Sequence, residues 1–310
     1  MNNIISVSLN PAIDKSSGVD QVVAERKLYC NPPRFEAGGG GVNVTRAIKK
    51  LGGESLLLYG KGGLTGERLK ELLDEEGLVH RPLPIEGGIR ESLVILEEST
   101  GQQYRFGMPG PEIQPEECEQ FLQALTDIDP APEYLVASGS LPPGAPADFY
   151  ARTARIGKKR GAKTIVDVSG EALEQALHEG VYLIKPNVRE FRELVGDSMQ
   201  EESQMIAEAK KMVGNGRCEV LVISLGAAGA LMVSAEMSEH ILPPTVPIIS
   251  KVGAGDSMVA GIVLSLARGM SVRESILFGV AAGTAAVMTP GTELCRREDT
   301  ERLFDFMVGK

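Results

Sequence analysis

An α/β architecture is the fold class this sequence predicts: a mostly parallel central sheet with helices on both faces, plus a small separate β-sheet. Three observations carry it. Short β-rich apolar runs alternate with amphipathic stretches along most of the chain, glycine-bearing turns follow several of those runs directly, and two segments break the alternation. With 310 residues, 43% of them hydrophobic, the chain can bury a large core. At ~100–200 residues per domain that length suits one large domain with an appendage, or two domains.

Taken in order, residues 4–9 read as a first buried strand. Leu9-Asn-Pro-Ala-Ile-Asp14 follows at once, which puts Asp14 at the carboxyl edge of the sheet, where open α/β folds bind ligands. An acceptor there could hold two sugar hydroxyls; the competing reading is an Asx-turn after Pro11. Val42, Val44, Ile48 and Leu51 recur at near-helical spacing, then residues 55–59 read as a strand and Leu69, Leu72 and Leu73 as a helix. Residues 15–36 and 81–108 lack helical periodicity, and Glu91-Ser-Leu-Val-Ile-Leu-Glu-Glu before Ser-Thr-Gly reads as the first arm of a hairpin. Both segments are expected in the small sheet. A few strands alone are marginal in water, so that sheet should pack on its own domain or on its copy in a second chain. Further strands are expected at 134–137, 164–168, 182–184 and 220–224, and a helix through Ile206, Ala209, Met212 and Val213. The last third reads as helical over 256–268, 272–288 and 297–307. No internal repeat or low-complexity linker interrupts this order.

The chemistry gathers in turns. Lys251-Val-Gly-Ala-Gly-Asp256 sets a carboxylate after Gly253, Ala254 and Gly255 at the head of an apolar helical run. Glycines let the backbone come close to a ligand, and free N–H groups at a helix start favour an anion such as a developing phosphate. Asp256 then reads either as a helix cap or as the base that takes a proton from an attacking hydroxyl. Ala37-Gly-Gly-Gly-Gly-Val-Asn43 also leads into a helix, and four consecutive glycines are too costly in chain entropy for a plain loop. With Asn43 as donor and acceptor, that loop suits a hydroxyl-rich molecule. It lacks the Lys-Ser/Thr of a Walker A loop and the acidic residue ~20 positions on of a dinucleotide fingerprint. Ser138-Gly139 follows a strand, although a Pro-Gly turn explains much of that string. Lys185-Pro-Asn-Val-Arg-Glu190 spaces Asn187 and Glu190 three apart. The pair suits Mg²⁺ held through water, or a capping box. Ser224-Leu-Gly-Ala-Ala-Gly229 can bring backbone close to a nucleotide.

Composition excludes other classes. Against 32 basic residues stand 42 acidic ones, a net charge of −10, which disfavours nucleic acid and anionic membranes as partners. The N-terminal stretch has no basic leader, and no run approaches the ~20 apolar residues of a membrane span. Cys30, Cys118, Cys218 and Cys295 are scattered, as are His80, His178 and His240, so neither a disulfide framework nor a metal cage is indicated. A cytoplasmic protein is expected.

Together SLNPAID, FEAGGGGVNVTRAI, YRFGMPG, SGSLPPG, DVSGEAL, IKPNVREF, SLGAAGAL and VGAGDSMVAG resemble the ribokinase-like carbohydrate kinases, the PfkB family, across essentially the whole chain. The resemblance implies a single ribokinase-like domain over 1–310 whose small sheet, from about 15–36 and 81–108, serves as a lid. It implies ATP-dependent phosphorylation of fructose 6-phosphate at the 1-hydroxyl, giving fructose 1,6-bisphosphate and ADP. Relatives acting on tagatose 6-phosphate or fructose 1-phosphate usually show G-G-K-G where this chain has Gly38-Gly39-Gly40-Gly41, and they stand as alternatives. A non-catalytic sugar-phosphate sensor is the alternative of another class.

Carried over to these positions, the resemblance makes Asp256 the general base and Gly253, Ala254 and Gly255 an anion hole. It gives the sugar to Asp14, Gly38, Gly39, Asn43, Ser138 and Gly139. Arg90, Arg105 and Lys27 would pair the phosphate, Lys27 coming either from the same chain or from the second chain of a homodimer joined through the lid. Nucleotide contacts fall on Lys185, Asn187, Ser224, Gly226, Gly229 and Thr284, with Glu190 helping to place Mg²⁺. A monovalent cation such as K⁺ is implied at Ser250, Val252, Ala286 and Gly291, with Lys251, Thr289 and Glu293 as departures there.

Overall fold

Neighbouring residues of the first strand divide the interior in two. Ile5 and Val7 pack into one apolar core and Ile4 into another, as the two-residue period of a strand dictates. A computed structural model describes residues 3–196 and 201–309; the first two residues of the N-terminal stretch read for a leader lie outside it. The elements run β1 (Ile4–Ser8), β2 (Ala12–Val19), β3 (Arg34–Gly38), α1 (Gly40–Lys50), β4 (Leu56–Lys61), α2 (Gly63–Glu75), β5 (Val79–Pro84), β6 (Arg90–Glu97) and β7 (Gln102–Gly107). Then come α3 (Pro115–Thr126), β8 (Tyr134–Ser138), α4 (Phe149–Lys159), β9 (Lys163–Asp167), α5 (Glu171–His178), β10 (Val181–Ile184), α6 (Val188–Val195), α7 (Glu202–Gly214) and β11 (Cys218–Ser224). After a 3₁₀ turn at Gly226–Ala228 follow β12 (Ala230–Ser234), β13 (Ser238–Ile241), α8 (Ala254–Ala267), α9 (Val272–Val287) and α10 (Arg297–Met307).

Nine strands form the main sheet in the order β13-β12-β11-β10-β9-β8-β1-β4-β5. All neighbours are parallel except β11–β12 and β12–β13. Helices α2 to α7 cover one face and α1, α8, α9 and α10 the other. The chain moves from β1 outward through β4 and β5, then returns to β8 on the other side of β1. That reversal opens a crevice at the carboxyl ends of β1 and β8, the place where doubly wound sheets bind ligands.

The small sheet has the order β3-β2-β6-β7, with β2 and β6 parallel and both outer pairs antiparallel. Its limits differ from those expected: residues 79–84 pair in parallel with β4 at the edge of the main sheet. Residues 20–33 hold no strand. Pro82 and Pro84 hid β5, since proline suits only an edge strand, which β5 is. The register decides which side chains share a face of the small sheet. Asp14 stands opposite Glu36 and Ser92, and Val94 opposite Arg105, so Asp14, Arg90 and Arg105 lie on one face at two-residue steps. Lys15, Phe35, Leu93 and Phe106 form a row on the other.

Candidate active site

Strand ends along the carboxyl edge supply most of the expected residues. Asp14 comes from β2 just after β1, Ser138 and Gly139 end β8, Asp167 ends β9, Lys185 and Asn187 follow β10, and Ser224 ends β11. Helix α1 brings the glycine loop to this edge. Its N-cap is Gly39, whose φ of 99° favours glycine. Gly40 is there because nothing larger fits: a Cβ would stand 2.5 Å from Ser138 Oγ and 2.6 Å from the Gly139 nitrogen. The glycine loop and the Ser138 turn, far apart in sequence, therefore touch.

The hydrogen bonds at this junction are incomplete. Asn43 Nδ2 donates to Asp256 Oδ2 at 2.9 Å, whereas Asn43 Oδ1 and Ser138 Oγ are buried without a partner. Buried polar atoms are nearly always paired, so such orphans facing a glycine-lined crevice point to a ligand with hydroxyls. Arg90 donates to the Asn10 carbonyl through Nε (3.4 Å) and Nη2 (3.3 Å), which aims it along the face that carries Asp14.

Asp256 lies in the first turn of α8. The helix is capped by Gly253 with φ 73°, and no side chain caps it, so the capping reading of Asp256 does not hold. Its carboxyl is pushed up to about 7, first by burial and then by Asp167, with the Asn43 hydrogen bond and Lys185 pulling the other way. Asp14 is raised to about 6, again first by burial, while Arg46 and Arg90 restrain it. Lys185 is buried and sits 3.0 Å from Asp167. Burial works against its charge, but Asp167, Asp256 and Glu190 outweigh that and hold the ammonium above the ordinary lysine value. A carboxyl near 7, beside donors fixed by a helix start, can take a proton at neutral pH and stabilise an anion close by.

A cleft of about 400 Å³ adjoins this point, lined by Ser224, Gly226, Gly229 and Thr284 together with Ala254 and Gly255. Its apolar walls, Val246, Met258, Val280 and Val287, were not singled out from sequence. They come from three separate segments, the loop after β13, α8 and α9, which only the fold brings together. Lys251 also lines the cleft and is exposed. Asn187 and Glu190 form the capping box of α6, Asn187 Oδ1 accepting from Glu190 N (3.0 Å) and Glu190 Oε2 from Asn187 N (2.9 Å).

The loops expected to hold a monovalent cation meet. Ser250 Oγ donates to the Gly291 carbonyl at 2.8 Å and accepts from Val252 N at 3.2 Å, while Thr289 Oγ1 donates to the Ala286 carbonyl at 2.8 Å. Lys27 stands apart, exposed, with its ammonium 5.2 Å from the Tyr29 ring; Arg105 is exposed on the edge strand β7. Asp167 and Arg46 were missed. The first lies in a quoted motif and ends a strand like its neighbours, so the same edge rule could have found it. The second carries no local signal.

The pfkB family carbohydrate kinase pattern matches residues 4–299. The chain is 43% identical over 302 residues to the ATP-dependent 6-phosphofructokinase isozyme 2 of Mycobacterium tuberculosis, covering 97% of this chain and 89% of that one. It is 39% identical over 308 residues to the isozyme 2 of Escherichia coli, covering 99% of each. Solved structures of the Escherichia coli phosphofructokinase-2 are similar throughout. The complex with potassium gives a TM-score of 0.95 at 39% identity, over 99% of this chain and 100% of that one. The complex with fructose-6-phosphate gives 0.93 at 38% identity, over the same 99% and 100%. A tetrameric inhibited form gives 0.94 at 38% identity with that same coverage of 99% and 100%.

Proposed function

This chain belongs to the pfkB family of carbohydrate kinases, and on that premise we propose that it transfers the γ-phosphoryl group of ATP to the 1-hydroxyl of fructose 6-phosphate, giving fructose 1,6-bisphosphate and ADP. One observation carries the chemistry: the Asp256 carboxyl, raised to about 7, is oriented by Asn43 at the glycine-capped head of α8. Asp256 accepts the proton as the hydroxyl attacks. The N–H groups of the turn from Gly253 to Asp256 stabilise the transferring phosphoryl, which needs positioning and charge stabilisation above all.

Asp14, Gly38, Gly39, Asn43, Ser138 and Gly139 hold the sugar hydroxyls. Arg90 and Arg105, on the face of the small sheet that carries Asp14, pair its phosphate, since a guanidinium offers a phosphate paired donors. The nucleotide takes the cleft beside α8, with Lys185 and Asn187 at the phosphate end. Mg²⁺ bound with ATP supplies charge neutralisation on the phosphates. The chain fits it, because Asp167, Asp256 and Glu190 all act on the single Lys185 ammonium and leave negative charge for a hydrated divalent ion. Neutral oxygens of Ser250, Val252, Ala286 and Gly291 suit a K⁺ ion, which trades its hydration shell for carbonyls. The whole chain acts as one catalytic unit, with the small sheet closing over the sugar and excluding water. A cytoplasmic setting suits its widely scattered free cysteines, and among the described residues no helix is long and apolar enough to cross a membrane.

A coupled ADP-release assay across fructose 6-phosphate, fructose 1-phosphate, tagatose 6-phosphate and ribose tests the reading. The highest kcat/KM is expected for fructose 6-phosphate. Greater efficiency with another sugar would reassign the substrate, and binding without ATP-dependent turnover would make the chain a sensor.

A further inference from the structure

Arg46 is an unusual residue to find buried in the middle of a helix, since arginine is rarely taken out of water without partners. It belongs to α1, is 2% exposed, and spends its guanidinium inside the protein. Nη1 donates to the Ala37 carbonyl (2.8 Å) and the Thr292 carbonyl (3.2 Å), Nε to both Glu76 oxygens (2.8 and 3.0 Å), and Nη2 to Glu36 (3.4 Å). Glu36 in turn accepts from Thr292 Oγ1 at 2.6 Å. One cation thus ties strand β3 of the small sheet, the end of α2 and the loop before α10 to the helix that carries Asn43. Next to Ala37 is Gly38, whose Cα is covered by the Asp14 carboxylate; a Cβ there would stand 2.4 Å from Asp14 Oδ2.

We propose that Arg46 is a positioning residue of the sugar site: it pins the Ala37–Gly38 backbone on which the Asp14 carboxylate rests, and supplies the buried positive charge that keeps Asp14 an acceptor for sugar hydroxyls. The charges facing Asp14 come from four elements: Arg46 of α1, Arg90 of β6, Glu36 of β3 and Asp256 of α8. Burial raises the Asp14 carboxyl to about 6, Arg46 is the largest influence lowering it, and Glu36 raises it. Removing either partner's charge should therefore move Asp14 in opposite directions, which a role in packing alone would not do.

The inference rests on the sugar-phosphate reading above. Fructose 6-phosphate affinity is measured by calorimetry from pH 5 to 8 for wild type, Arg46→Gln, Arg46→Lys and Glu36→Gln, with thermal melting of each. The ligand's own phosphate ionisation near pH 6 is common to every protein and cancels in the differences. Affinity that rises with pH through about 6 is expected for wild type. The rise should lie roughly one pH unit higher in Arg46→Gln, costing about fivefold in affinity near pH 6 and approaching tenfold near pH 5, should return towards wild type in Arg46→Lys, and should move lower in Glu36→Gln. Should Arg46→Gln not fold, the downward shift in the partly exposed Glu36→Gln decides the matter alone. Equal midpoints in all folded variants would overturn the inference while leaving the kinase reading intact. Absence of wild-type binding would overturn both.

Discussion

Asp256 and Asp14 are both carboxyls raised by burial, but only Asp256 has the amide of Asn43 on its oxygen and itself lies in the first turn of a helix. Asparagine at 256 keeps the volume and can still accept from Asn43, yet cannot take a proton. Turnover of Asp256→Asn should fall ~10²–10⁴-fold, or ~3–5 kcal/mol of transition-state stabilisation, with fructose 6-phosphate affinity changed much less. In wild type kcat/KM should rise with pH through about 7, since the base must be unprotonated. Stability carries the opposite sign. A carboxyl raised from 3.8 to about 7 on folding contributes fully below the lower value, and its contribution is lost as pH rises through the upper one. The melting temperature of Asp256→Asn relative to wild type should therefore climb from pH 5 to pH 8. Near-wild-type turnover in the variant would remove the base; a constant difference in melting temperature would show that the buried carboxyl is not protonated at pH 5. Sequence revealed Asp14 because it sits beside a turn-forming proline after an apolar run, and Asp256 because it sits beside turn-forming glycines at the head of one. Arg46 escaped it because its partners, Glu36, Glu76 and Thr292, are local to nothing but the fold.

At the scale of elements, the interior parallel strands of the main sheet were legible from their apolar runs, and the hairpin of β6 and β7 from its turn signal. The edge strands β13 and β5 were not, since their short polar or proline-containing segments pair only because a neighbour offers an edge, and the apolar five-residue β12, directly after a glycine-rich turn, was passed over with them. The glycine loop shows how an element's seat fixes a site. Helix α1 reaches the crevice only because Gly40 lies flat against Ser138 and Gly139. Gly40→Ala must push that backbone away, so it should cost about 1–3 kcal/mol and lower Tm by a few degrees. It should also weaken fructose 6-phosphate binding, because Asn43 moves with the helix. Gly214→Ala, at the end of α7 with open space around it, is the control: it should leave affinity unchanged and Tm level or slightly raised. Calorimetry and melting of the two variants check this. Unchanged affinity in Gly40→Ala would mean that the junction of α1 with the Ser138 turn is not part of the sugar site.

Over the whole molecule, the small sheet is the part left incomplete. One face carries Asp14, Arg90 and Arg105; the other presents the row Phe35, Lys15, Leu93 and Phe106, of which Phe35 is 40% and Phe106 48% exposed. A row of aromatic and aliphatic side chains on a sheet open to water is what a second copy would cover by isologous packing. Beside it the exposed loop of residues 20–33 holds Lys27 over Tyr29, and in a dimer joined through this sheet Lys27 would be free to serve the partner's site. Dimerisation would then do two things at once: bury the apolar row and deliver a third cation to the sugar phosphate. Light scattering at assay concentration should give a particle of at least twice the chain mass of 33.1 kDa. Phe106→Asp, which puts a charge in the middle of the row, should yield monomers. Those monomers should keep the fold and ATP binding, since the cleft beside α8 lies in the main sheet's half, but should raise KM for fructose 6-phosphate far more than they lower kcat, because uniform binding of the remote phosphate is what they lose. Lys27→Ala in a chain that still dimerises should reproduce the KM effect without the change in mass. A wild-type monomer with full turnover, or a Phe106→Asp monomer with unchanged KM, would show that each chain completes its own site.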